Sequence, residues 1–178
     1  MEQLKQVALL VIDVQQELFE KSTPIYQADQ LLSNINLLVD RAHAAGVQVF
    51  FVQHSSWKTL VEGSDGWRLH PALQPLTTDH FIRKHHSNAF QETTLKGELD
   101  ALHVRRVVVV GLLTNNCVQV TCNSAHELGY EVVLVQDAHS TYNANARDVI
   151  DEWNEKLSHG IVQLQSADEV DLGASGTK

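Results

Sequence analysis

Three side chains in this sequence could together break a covalent bond: the thiol of Cys117, the carboxylate of Asp13 and the ammonium of Lys84. A thiol attacks carbon as the thiolate, so it needs a base to accept its proton and a charge to steady the anion. A carboxylate can supply the first and an ammonium the second. Each residue also has an ordinary reading. Free cysteines are usually packing residues, an Asp after a strand often caps a helix, and a lone Lys is usually solvated. Position has to decide between the readings.

The elements around these residues give that position. Val107–Val110 is a short, wholly apolar β-branched run, read as a strand buried on both faces. Gly111 breaks it, and Thr114, Asn115 and Asn116 favour a turn or helix N-cap. Cys117 then opens a helical pattern through Val120, Ala125 and Leu128, closed by Gly129. A thiol in the first turn of a helix meets free N–H groups and partial positive charge, which suit a thiolate and an oxyanion. Asp13 ends the apolar run Val7–Ile12, and Lys84 ends a short strand containing Phe81 and Ile82.

The remaining pattern alternates in the same way. Helical spacing covers Tyr26–Ala45, with Gly46 at its end, then strand Val47–Val52 leads to Gln53 and His54. A helix over Thr93–Leu102, a strand Glu131–Val135 closing at Asp137, a helix Ala144–Leu157 and a strand Ile161–Leu164 complete the series. The expected fold is α/β: a single-domain, Rossmann-like three-layer sandwich over residues 1–178, with a six-stranded, mainly parallel sheet and helices on both faces. In such a sheet the carboxyl ends of the strands share one edge, so Asp13, Lys84 and Cys117 converge. Residues 54–79 form the longest aperiodic stretch and read as a binding wall or lid. The polar tail after Asp168 reads as loose.

Composition narrows the function. The 178 residues suit one domain, and 13 Lys and Arg against 22 Asp and Glu give a net charge of −9 with no basic run. That argues against nucleic-acid and membrane-surface roles, leaving a small-molecule partner. The two cysteines, Cys117 and Cys122, match neither a zinc spacing nor a disulfide framework. With no signal peptide before the first strand and no run of transmembrane length, the expected location is cytoplasmic.

Four segments in order resemble the isochorismatase-like cysteine hydrolase superfamily, which includes nicotinamidases, N-carbamoylsarcosine amidases and ureidoacrylate amidases. They are Leu10-Val-Ile-Asp-Val-Gln15, Lys84-His-His-Ser-Asn-Ala-Phe90, Gly111-Leu-Leu-Thr-Asn-Asn-Cys-Val118, and Gly129 through Asp137-Ala-His-Ser-Thr141. The resemblance implies Asp13 as general base, Cys117 as nucleophile and Lys84 as the charge that tunes both. It also implies a non-proline cis peptide between Leu112 and Leu113, an oxyanion hole from the backbone N–H groups of Leu113 and Cys117, and a homo-oligomer, dimer or tetramer.

One departure matters. Metal-dependent nicotinamidases carry Asp-x-His after the second strand, whereas this chain has Gln53-His54. The expectation is therefore no metal and no cofactor, with nicotinamide disfavoured as substrate. Phe19, His54, Trp67, Asn116 and Tyr142 are the expected substrate wall, suited to a small planar or partly apolar amide. The alternatives are vinyl ether hydrolysis, which needs an acid but no thiol, and an inactive binding scaffold.

Overall fold

The computed structural model describes residues 6–142 and 144–173. Its centre is β1 (Val7–Ile12), in which every residue is buried. Alternate side chains of a strand point to opposite faces, and β1 divides accordingly. Val7, Leu9 and Val11 join one apolar cluster, while Ala8, Leu10 and Ile12 join another.

On the first face lies α1 (Ala28–Ala45), which buries Leu31, Ile35, Leu38, Val39 and Ala42 at helical spacing. The second face is covered by α2 (Leu95–Ala101), α3 (Gln119–Glu127) and α4 (Ala146–Ser158), through Leu95, Leu99, Cys122, Ala125 and Leu157. The remaining strands are β2 (Gln48–His54), β3 (His80–Lys84), β4 (Arg106–Leu112), β5 (Glu131–Ser140) and β6 (Gln163–Gln165). They stand in the order β3-β2-β1-β4-β5-β6, and every pairing is parallel.

The structure moves several expected boundaries. α1 begins after Tyr26, because Gln27 is left-handed (φ 48°) and the Tyr26 N–H bonds to the Thr141 carbonyl instead. Ile161 and Val162 precede the last strand, since both N–H groups bond to the Leu157 carbonyl and wrap the end of α4. β5 does not stop near Asp137. Between Val109↔Leu134 and Gly111↔His139, two residues of β4 are matched against five of β5, so a bulge carries the chain past Gln136 and Asp137 and back into register. The segment after Asp168, expected to be loose, is packed as far as Leu172. Arg41 donates to the carbonyls of Ala167 (2.6 Å) and Val170 (2.7 Å), and Val170 and Leu172 are buried against the α1 side. Residues 174–178 of that tail lie outside the described part.

Gly111 shows how closely the central strands approach. Its φ of +122° is open to glycine alone, and a Cβ there would lie 2.1 Å from the Ile12 carbonyl oxygen. Among the described residues no helix is long and apolar enough to cross a membrane.

Candidate active site

Asp13 leaves β1 in the left-handed conformation (φ 52°), which Asp tolerates better than most residues, and its N–H bonds to the Val52 carbonyl (2.9 Å). Lys84 is the last residue of edge strand β3, paired in register with His54 of β2. Its side chain is wholly buried and reaches across His54 toward β1. There Nζ lies 2.9 Å from Asp13 Oδ2, 3.0 Å from His54 Nδ1, 3.1 Å from the His86 carbonyl and 3.3 Å from Cys117 Sγ. The three residues read from the sequence do meet at the carboxyl edge of the sheet.

The thiol sits differently from the expected helix N-terminus. After β4 comes the cis peptide Leu112–Leu113, at the expected bond, and then a π turn, Thr114–Val118, ahead of α3. The Leu113 carbonyl accepts from the N–H groups of Asn116 (3.0 Å) and Val118 (3.2 Å), the residues on either side of Cys117. Asn116 departs from helical geometry (φ −134°, ψ −107°). The helix proper begins only at Gln119, so the thiol rests in a distorted turn.

Electrostatics there favour a protonated resting thiol. Burial pushes the Cys117 thiol up to about 12, the charge of Asp13 adds to the rise, and Lys84 opposes it. One oxygen of Asp13 bonds to Lys84, while Oδ1 is buried with no hydrogen-bond partner. A ligand-type oxygen of Asp13, a His54 ring nitrogen and Cys117 Sγ all lie within 4.8 Å of one another. Asp13 thus keeps a vacant acceptor in the site it shares with a protonated thiol. His54 is held toward its neutral form by burial and then by the Lys84 charge, so Nδ1 offers a lone pair to the ammonium.

Asp13, His54 and Cys117 form a group with metal-ligand chemistry. Lys84 Nζ lies within 3.3 Å of an atom of each of the three. His80 is engaged by Glu98 and Gln48, His85 by the Ser55 carbonyl, and His86 by Glu92.

The expected wall residues are placed unevenly. His54 touches the reactive centre directly, and Asn116, next to Cys117, accepts from Ser87 (2.9 Å). The Phe19 ring stands 4.5 Å from the His70 ring and packs on the α1 side. Tyr142 packs there too, its hydroxyl buried without a partner. The indole N–H of Trp67 donates to Ser55 Oγ (2.8 Å), and Arg83 lies over the ring, 5.6 Å from its centroid.

Residues to which the sequence reading gave no role of their own hold this wall. Gln15, fully buried, brackets the backbone of His54, accepting from its N–H (2.9 Å) and donating to its carbonyl (3.0 Å). It also donates to the Trp67 carbonyl (2.8 Å), as does Gln53 (3.1 Å). Further bonds run from Gln16 N to the Arg68 carbonyl, Glu17 N to the Gly66 carbonyl, His70 N to the Val14 carbonyl, and Leu60 N to the Glu17 carboxylate. Residues 60–70 are thus a fastened wall.

A cleft of about 380 Å³ lies elsewhere, between α1 and α4 beside Gln136 and His139, and contains none of the three reactive residues.

Comparison with known proteins shows the family. The isochorismatase domain family matches residues 7–151. A streptothricin hydrolase of Streptomyces noursei is 34% identical over 168 residues, 93% of this chain and 61% of its own length, so the chain spans less than two thirds of that relative. Nicotinamidase 3 of Arabidopsis thaliana is 29% identical over 155 residues, covering 78% of this chain and 75% of its own. The crystal structure of an isochorismatase family protein superposes with a TM-score of 0.87 at 30% identity, covering 92% of this chain and 99% of the other.

Proposed function

Because the chain belongs to the isochorismatase family of hydrolases, we propose that it hydrolyses a C–N bond in a small amide-like molecule through Cys117, Asp13 and Lys84. The observation that carries this reading is the arrangement at Lys84 Nζ. One buried ammonium touches both the thiol and the carboxylate, and the carboxylate keeps one buried oxygen without a partner. A scaffold that only packs its core has no reason to bury an ion pair, which costs desolvation on both sides.

The chemistry follows from the protonation states. Cys117 begins as the thiol, passes its proton to Asp13, and its sulfur attacks the carbonyl carbon. The oxygen of the tetrahedral intermediate lies against the backbone N–H groups of Leu113 and Cys117. Protonated Asp13 returns the proton to the departing nitrogen, leaving a thioester on Cys117. Water, deprotonated by Asp13, attacks the thioester; the acid leaves, and sulfur recovers the proton. Lys84 remains charged throughout and holds Asp13 in place. His54, Phe19, Trp67, Asn116 and Tyr142 form the substrate wall, and the relatives named for amide substrates support an amide over other bonds.

Ammonia release from a panel of small amides and ureides tests this reading. Wild type is expected to turn over at least one of them, with activity lost in Cys117→Ala and Asp13→Asn. Full turnover in Cys117→Ala would instead favour acid-driven vinyl ether hydrolysis, and no turnover on any class of substrate would favour the scaffold.

A further inference from the structure

His139 is a buried titratable side chain that the mechanism leaves unused. The β5 bulge sets it level with Gly111, immediately below the turn that carries the thiol. Its Nδ1 lies 2.7 Å from Thr114 Oγ1 and its Nε2 lies 2.8 Å from Asn154 Oδ1, on α4. Asn154 Nδ2 points in turn to the Gln136 carbonyl (3.3 Å), which fixes the amide with its oxygen toward the ring. Nε2 therefore carries the hydrogen, and Nδ1 is left to accept from the Thr114 hydroxyl.

The turn needs such support. With Asn116 outside helical geometry, the regular bonds of a helix do not dictate its shape. Each of its three polar residues is instead tied to a different partner: Thr114 to His139, Asn115 to Thr141 (3.0 Å) and Asn116 to Ser87 (2.9 Å). The last two are open to water, which can replace a lost partner at little cost. The Thr114–His139 bond is buried at both ends, where no water substitutes.

We propose that His139 is a positioning residue: with Thr114 it forms a dry strut that fixes the π turn and thereby the direction from which Cys117 Sγ meets the substrate carbonyl. This rests on Cys117 being the nucleophile. Burial also keeps the ring neutral, pulling His139 down to about 4, so Nδ1 remains an acceptor across the ordinary pH range.

The test separates positioning from folding. p-Nitrophenyl acetate serves as acyl donor, with the p-nitrophenolate burst reporting acylation of the enzyme; iodoacetamide alkylation of Cys117, read by mass spectrometry, needs no substrate. Thr114→Val is expected to slow both by about tenfold or more, because small misplacements of a reacting atom are costly. Melting temperature should stay within a few degrees, and Thr114→Ser should restore both rates. Asn154→Ala, on the partly exposed end of the strut, should slow both in the same direction but less. Should Thr114→Val fail to fold, Asn154→Ala decides alone: wild-type acylation and alkylation rates would overturn the strut. A Thr114→Ser variant as slow as Thr114→Val would also overturn it, since the methyl and not the hydroxyl would then matter. A burst that persists in Cys117→Ala would instead refute the nucleophile assignment, and the alkylation rates would still read the strut.

Discussion

Lys84 has three hydrogens and four acceptors within reach: Asp13, His54, the His86 carbonyl and Cys117. Replacing it with Met would leave the Asp13 carboxylate buried beside a thiol and nothing cationic. Removing one partner of such a pair typically costs about 3–5 kcal/mol, so Lys84→Met should lower unfolding stability by that amount in urea titration. Lys84→Met with Asp13→Asn should regain most of it while remaining inactive. His139 supplies a second residue-level outcome. Its folded value, about 4, lies below the ordinary 6.5, mainly through burial, with Asn154 and Asp137 pulling the other way. A depressed value means the stabilising contribution is complete above 6.5 and is lost as pH falls from there through 4. About 3 kcal/mol should drain away over that window, and a His139→Gln variant should lack this component of its acid-unfolding profile. That Asp13, Lys84 and Cys117 share one edge was legible in the sequence because each follows a segment read as a strand: the apolar runs Val7–Ile12 and Val107–Val110, and the short strand with Phe81 and Ile82. Gln15 and His139 were not, because their meaning lies in partners 39 and 25 positions away.

At the scale of elements, the junction of β4 with β1 leaves no tolerance. A Cβ at position 111 meets backbone atoms of Ile12 on a buried strand, so no rotamer change can relieve it. Gly111→Ala should cost at least about 3 kcal/mol or abolish folding, as thermal unfolding or soluble yield would show. The wall gives a gentler experiment. Ser55→Ala removes the acceptor of the Trp67 indole without touching the reactive groups. If Trp67 lines the substrate pocket, KM should change while kcat and melting temperature stay near wild type; equal kinetics with lost stability would make Trp67 purely structural. Apolar periodicity revealed the helices and strands of the sheet to within a few residues. It missed the second half of β5, because Gln136-Asp137 reads as a strand end and a bulge has no period of its own.

On the scale of the whole molecule, all six strands share one direction, so a single edge of the sheet receives every reactive side chain. The far end of the chain takes part in the core, since Arg41 clamps the Ala167 and Val170 carbonyls over buried Val170 and Leu172. Sequence reading called that segment a polar tail because its apolar residues are too sparse to show a period. Arg41→Ala should free it and lower the melting temperature, with new protease cleavage after residue 165 seen by mass spectrometry. Trp57, 87% exposed, and Phe81, 48% exposed on edge strand β3, are consistent with the expected homo-oligomer. Light scattering after size exclusion should return a mass above that of one chain, and a monomer would remove the expectation.

The stitching of residues 60–70 to 14–17 bears on the timing of turnover. A wall held by backbone bonds on both sides is expected to stay in place during turnover, with product release awaiting no opening of residues 60–70. Amide hydrogens of Gln16, Glu17 and His70 should therefore exchange slowly with deuterium. Added sucrose or glycerol should slow turnover only as far as it slows diffusion, because no large segment has to move through the solvent.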